Sequence, residues 1–132
     1  MGAMSRRKGA VGEREASAIL RAELGVKIER RLEQWRSGGS DLVGLDGWSI
    51  EIKRAAQWSS AWWQQAVEQA HHEGNFPVLI YRLDRKQWMA RIRGADLAPE
   101  LSEASADWWV EMELGTWCQV VRERMSGGLG YE

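Results

Sequence analysis

The chain has 132 residues, nine of them tryptophan, with one cysteine, Cys118, and a net charge of −1. That length suits one domain with its own core. The lone cysteine excludes a disulfide framework and a multi-cysteine zinc site, and no apolar run is long enough for a membrane-spanning helix. The near-neutral total hides an asymmetry, because residues 1–93 carry +5 and residues 94–132 carry −6; this suits a polyanionic partner for the first part, though charge alone favours an ordinary solvated surface with an acidic tail.

Ser5-Arg6-Arg7-Lys8-Gly9 reads as a short basic arm, either a frayed terminus or a phosphate contact. Residues 10–24 read as a helix of good formers ended by Gly25. At helical spacing Glu13 shares a face with Leu20 and Leu24, whereas Glu15 falls nearly opposite. A carboxylate on an apolar face is costly unless paired or bound to a cation. Glu13 is therefore the functional candidate and Glu15 a surface residue; a salt bridge to a nearby arginine is the structural alternative for Glu13. Residues 26–32 alternate imperfectly as a strand. Arg30, Arg31 and Arg36 add positive charge ahead of the turn Ser37-Gly38-Gly39-Ser40, whose glycines allow close approach of a phosphate.

The stretch from Asp41 to Lys53 organises the rest. A strand sends alternate side chains to opposite faces, so Glu51 and Lys53 share one face and Trp48, Ile50 and Ile52 take the other. A carboxylate and an ammonium side by side on a rigid strand suit a hard cation and an activated water. The register decides whether Asp41 joins them. A two-residue turn at Asp46-Gly47 pairs Asp41 with Ile52 and turns it away. A three-residue loop, Leu45-Asp46-Gly47, pairs Asp41 with Glu51 and requires positive φ at its third position, where Gly47 stands. The three-residue loop is the expectation.

After Lys53-Arg54, residues 59–73 read as a second helix with Ser59 or Ser60 as N-cap. Trp62, Ala66 and Gln69, and Trp63, Val67 and Ala70, form its apolar stripe. Gln64 and Gln65 lie in its first turns; if the helix packs beside the hairpin, one of them reaches the site, and Gln65 is the choice. His71-His72 ends the helix, and adjacent helical residues do not face each other, so the pair reads as ordinary C-terminal cations. Residues 77–81 are a buried strand, residues 84–87 a turn and residues 88–92 a second hairpin arm. Arg82, Arg85, Lys86, Arg91 and Arg93 make this hairpin basic, suited to a phosphate backbone or to a protected sheet edge.

From Gly94 the chain turns acidic. Residues 95–106 read as loop or short helix, 108–114 as a strand, 116–125 as a final helix and 126–130 as a disordered tail. Trp108, Trp109 and Trp117 suit packing onto the body or a second subunit. The expected organisation is a core over residues 5–93 and an acidic extension over 94–132, in an α/β fold with a mixed central sheet.

With Glu13, Asp41, Glu51 and Lys53 in place, the chain resembles the PD-(D/E)XK nuclease superfamily, and within it the archaeal-type Holliday junction resolvases and their phage relatives. The resemblance runs from about Arg7 to Ile92. It is carried by Lys8-Gly9-Ala10 with Glu13-Arg14-Glu15, by Ser40-Asp41-Leu42-Val43, by Ile50-Glu51-Ile52-Lys53, and by Pro77-Val78-Leu79. Ser40 replaces the proline of the superfamily's name.

The resemblance implies a restriction-endonuclease-like fold, a mixed sheet flanked by helices. It implies Mg²⁺, with Mn²⁺ able to substitute, held by Asp41, Glu51 and the Ile52 carbonyl, with Glu13 in contact directly or through water. Lys53 would orient the attacking water and offset developing charge. Gln65 resembles a glutamine that many relatives carry on the following helix. DNA contacts are expected at Arg6, Arg7, Lys8, Arg30, Arg31, Arg36, Ser37, Ser40, Arg54, Arg85 and Lys86. The implied activity is phosphodiester hydrolysis in branched DNA by a homodimer, as in a Holliday junction resolvase of recombination and repair, in the cytoplasm of a bacterial or phage-infected cell. One alternative is a structure-selective or general DNA nuclease of phage, restriction or repair type. Another is a non-catalytic DNA-binding domain of the same fold, against which the intact Glu13, Asp41, Glu51 and Lys53 argue. A tryptophan-rich interaction module would leave the Glu51/Lys53 spacing unexplained.

Overall fold

A computed structural model describes the backbone of residues 3–30, 42–101 and 107–125, and the side chains of residues 9–29, 44–101 and 107–125. The proposed contacts of Arg6, Arg7, Lys8, Arg30, Arg31, Arg36, Ser37 and Ser40, the carboxylate of Asp41 and the tail after Met125 lie outside these residues.

Helix α1 spans Ala3–Leu24. It starts earlier than the expected residue 10, and the stretch read as a basic arm forms its first turns. Arginine and lysine are good helix formers, so Gly9, at about 1 kcal/mol, does not interrupt them. Gly25, with φ of 68°, ends the helix as expected.

The strands β1 (Glu29–Arg30), β2 (Leu42–Val43), β3 (Trp48–Ala55), β4 (Phe76–Leu83), β5 (Met89–Arg93) and β6 (Trp109–Glu113) form one sheet in that spatial order. β3 and β4 are parallel and all other neighbours antiparallel, so the sheet is mixed. The parallel pair needs a crossover, which α2 (Ala61–Glu73) supplies. Gly74 caps it at φ of 74°, its N–H bonded to the carbonyls of Ala70 and His71. A short helix, α3 (Gly94–Leu97), follows β5, and α4 (Leu114–Met125) follows β6.

Alternation sorts the sheet into two faces. Ile50, Ile52, Val78, Ile80, Ala90 and Ile92 turn to one side, where they pack with Ala16, Leu20 and Leu24 of α1 and Leu114, Trp117, Cys118 and Val121 of α4. Trp117 is fully buried and meets Trp48 edge-on at 5.2 Å; a buried indole of this kind contributes about 3 kcal/mol. The segment after Gly94 thus supplies the sixth strand and part of the main core. Cys118 lies in that core, where burial, reinforced by Glu23 and opposed by Arg122, pushes its thiol up to about 11. The opposite face carries Leu79 and Tyr81, packed against Ala66 of α2 and bordered by Trp58, Trp62 and Trp63. Among the described residues no helix is long and apolar enough to cross a membrane.

Candidate active site

Leu42 pairs with Ile50, the register of the three-residue loop. Gly47 has φ of 87°, and the Trp48 N–H donates to the Leu45 carbonyl at 3.3 Å across the loop.

On β3, Glu51 and Lys53 are both half-buried. Parallel register sets Glu51 beside Leu79 and Lys53 beside Tyr81, so both face the α2 side of the sheet. Burial and a hydrogen bond with Glu111 push the Tyr81 hydroxyl up to about 12. It therefore stays protonated at neutral pH, a neutral neighbour for Lys53.

The position of α2 over this face is fixed at one end. The Ser49 hydroxyl, fully buried, donates to Glu73 Oε1 and accepts from Asn75 Nδ2 at 3.2 Å. Connecting parallel strands, α2 runs antiparallel to β3. Each two residues along a strand advance about 6.6 Å, and each four residues along a helix about 6 Å. Starting from the Ser49–Glu73 contact, Gln69 therefore comes level with Glu51, and Gln65 with Lys53. Gln69 is half-buried whereas Gln65 is exposed. With Ala66 and Ala70 facing the sheet, Gln65 is rotated further outward than Gln69. Gln69 falls at helical spacing within the apolar stripe of α2, and a polar residue at such a position is the signal in the sequence.

Glu13 approaches from the other face, on α1. Its neighbour Gly12 lies against the Arg54 Cβ, one residue beyond Lys53, and its own Oε2 is shielded from solvent. Ser17 donates to the Glu13 carbonyl at 2.7 Å. Glu15 is not the free surface residue that its helical position suggested. It accepts from Arg82 at 3.1 Å and from Trp88 Nε1 at 3.3 Å, tying α1 to the β4–β5 hairpin. Helical periodicity shows only which face a residue takes; the hairpin reaches this one from elsewhere in the chain.

The basic residues also divide. Arg54, expected at DNA, is mostly buried and donates to Asp84 Oδ1 at 2.5 Å. Arg85 and Lys86 are exposed at the β4–β5 turn, where Arg85 takes φ of 66°. With Tyr81, Leu83, Gln87 and Met89 they line a cleft of about 540 Å³. Arg91 and Arg93 bond Glu111 and Asp96 respectively. His71 and His72 are exposed, and among the described residues no three of His, Cys, Asp or Glu converge to hold a metal. Glu51 and the Ile52 carbonyl offer oxygen donors, the type that suits a hard divalent cation, while Asp41 lies outside the described residues.

A mixed sheet between helices, with a carboxylate and a lysine two apart on its third strand, defines a restriction-endonuclease-like fold. Residues 4–114 match the family described as phage putative PDDEXK endonuclease, and the chain belongs to that family. The match extends past Ile92, where the sequence resemblance ended, through β6 to the first residue of α4. No curated protein matches. Among solved structures, the chain is similar to Archaeoglobus fulgidus Hjc, a Holliday junction resolvase from an archaeal hyperthermophile. The identity is 24%, over 59% of this chain and 70% of that one, with a TM-score of 0.46.

Proposed function

We propose that this protein is a divalent-metal-dependent DNA endonuclease that hydrolyses phosphodiester bonds in branched DNA, acting as a homodimer on four-way junctions. The observation that carries the chemistry is the Glu51/Lys53 pair on one face of β3, beside a hairpin in the register that Asp41 requires. The choice of branched DNA rests on the resemblance of residues 7–92 to the archaeal-type resolvases.

Asp41, Glu51 and the Ile52 carbonyl would hold Mg²⁺ or Mn²⁺; Glu13, which α1 carries on the opposite face of the sheet, would contribute through water rather than as a direct ligand. When bound, such an ion polarises a phosphoryl oxygen and lowers the pKa of a water. Lys53 holds the attacking water by hydrogen bonding and offsets negative charge developing on the phosphate. Neutral Tyr81 does not add to the anionic charge there. Arg85 and Lys86, exposed at the tip of the β4–β5 hairpin, take phosphates further along the strand. Gln69, level with Glu51, orients a phosphate or water oxygen by its amide. Gln69→Ala should lower kcat by roughly tenfold and Gln65→Ala by less than about twofold. Single-turnover cleavage by the two variants checks the assignment; the reverse order would return the role to Gln65.

Labelled four-way junction and matched linear duplex, incubated with Mg²⁺ and with EDTA, test the whole reading. Paired symmetric cuts near the branch point, absent from linear DNA and abolished by EDTA, are expected. Equal cutting of both DNAs would keep the hydrolysis and remove the preference for branches. Absence of cutting with any divalent ion would overturn the nuclease reading.

A further inference from the structure

The face of the sheet that carries Glu51 and Lys53 continues beyond α2 into an aromatic surface that the proposed hydrolysis does not use. Tyr81, beside Lys53, packs edge-on against Trp58 at 5.0 Å, and Trp58 against Trp62 at 5.1 Å. The Arg91 guanidinium then lies 4.5 Å from the Trp58 ring and 3.6 Å from Trp109, with Trp63 at 5.8 Å. Arg91 is fixed by Glu111 at 2.8 Å, so the arginine and the indoles around it brace one another. Beyond Trp63 and Trp109 lies a cleft of about 560 Å³, also lined by Glu68, Arg93 and Asp107.

A purely structural clamp would close this space, yet Trp109 is 44% exposed. The lining charges narrow the occupant. Arg93 directs its guanidinium to Asp96 through contacts of 2.8 and 3.3 Å. Glu68 and Asp107 therefore give the cleft an acidic lining that repels phosphate. Carboxylates instead accept from the amino groups on base edges, and indole faces stack on any base. β6 lies three strands from β3, about 14 Å away at the usual strand spacing. That distance puts the cleft within a few nucleotides of the reacting phosphate.

We propose that the cleft between Trp63 and Trp109 receives an unpaired nucleobase, stacked on the Trp109 indole, so that the protein selects DNA with unpaired bases close to the scissile phosphate. This rests on the nuclease reading, not on the four-way junction, and singles out branched DNA whose branch carries unpaired bases. Tyr81 and Trp58, bridged to Trp109 by the Arg91 guanidinium, connect the cleft to the face that carries Lys53, and its acidic lining complements a base edge.

The test is binding in EDTA at fixed salt, with wild type, Trp109→Ala and Trp109→Phe. The probes are a blunt duplex and the same duplex bearing a short single-stranded flap. Trp109→Ala should weaken flap binding roughly tenfold, change duplex binding by less than about twofold, and be rescued largely by Trp109→Phe. Circular dichroism verifies folding, and Trp63→Ala supplies an independent removal of the second wall. Equal losses on both DNAs, or none, would overturn the proposal while leaving the nuclease reading intact. Loss of dimer in sedimentation together with loss of both bindings would make Trp109 a contact between copies, and overturn it likewise. A wild-type protein that binds neither DNA would overturn the proposal and the DNA reading together.

Discussion

Glu51→Gln should reduce DNA cleavage on the order of a thousandfold and leave the fold intact. The substitution keeps the size and planarity of the side chain and removes the negative charge that a divalent cation requires. Glu51 stands on the α2 face of β3, while its neighbours Ile50 and Ile52 enter the main core on the other face. The packing that holds β3 is therefore untouched, and the melting temperature should stay within a few degrees of wild type. Cleavage under single-turnover conditions, paired with thermal melting, separates the two effects. Retained cleavage would remove Glu51 from the site; lost cleavage with lost folding would make it structural.

The largest effect on stability at the hairpin is expected from Gly44→Ala. Gly44 has φ of 122°, and a Cβ there would fall 2.1 Å from the Lys27 carbonyl oxygen and 3.1 Å from the Ile28 Cα. Both contacts are with backbone between α1 and β1, which cannot swing aside as a side chain can. Backbone strain and this collision together should cost about 3 kcal/mol, lowering the melting temperature by about 10 °C. Gly47→Ala is the control. Its φ is 87°, but nothing lies within 4 Å of the new Cβ, so only conformational strain of about 1 kcal/mol remains. Melting curves showing equal losses for the two would remove the close approach as the cause. Since Gly44 joins β2 to the loop before β3, the Ala variant should also lose cleavage at temperatures where it is still folded.

The local features of the site were legible in the sequence. The period of two along a strand placed Glu51 and Lys53 together without reference to the rest of the chain. The Leu42–Ile50 register agrees with the three-residue loop, in which Gly47 takes positive φ while Asp46 does not, as a two-residue type I′ turn would require. The α2 crossover and the strand after it followed from hydrophobic periodicity and from Gly74. Each of these is governed by backbone sterics within a few residues.

Other features depended on which elements meet. Glu15 reads as solvated on its own helix, yet Arg82 and Trp88 arrive from the β4–β5 hairpin to bond it. Arg54 reads as a DNA contact until Asp84 of the adjoining loop claims it. The relative reach of Gln65 and Gln69 follows from the Ser49–Glu73 contact, whose partners lie 24 residues apart. The acidic C-terminal segment has a charge unlike the rest, but Trp117 and Val121 enter the main core and β6 extends the sheet. The sequence by itself determined the periodicities and turns, since these obey local geometry. Only the tertiary structure decided the partners, since burial and ion pairing depend on surfaces supplied by distant parts of the chain.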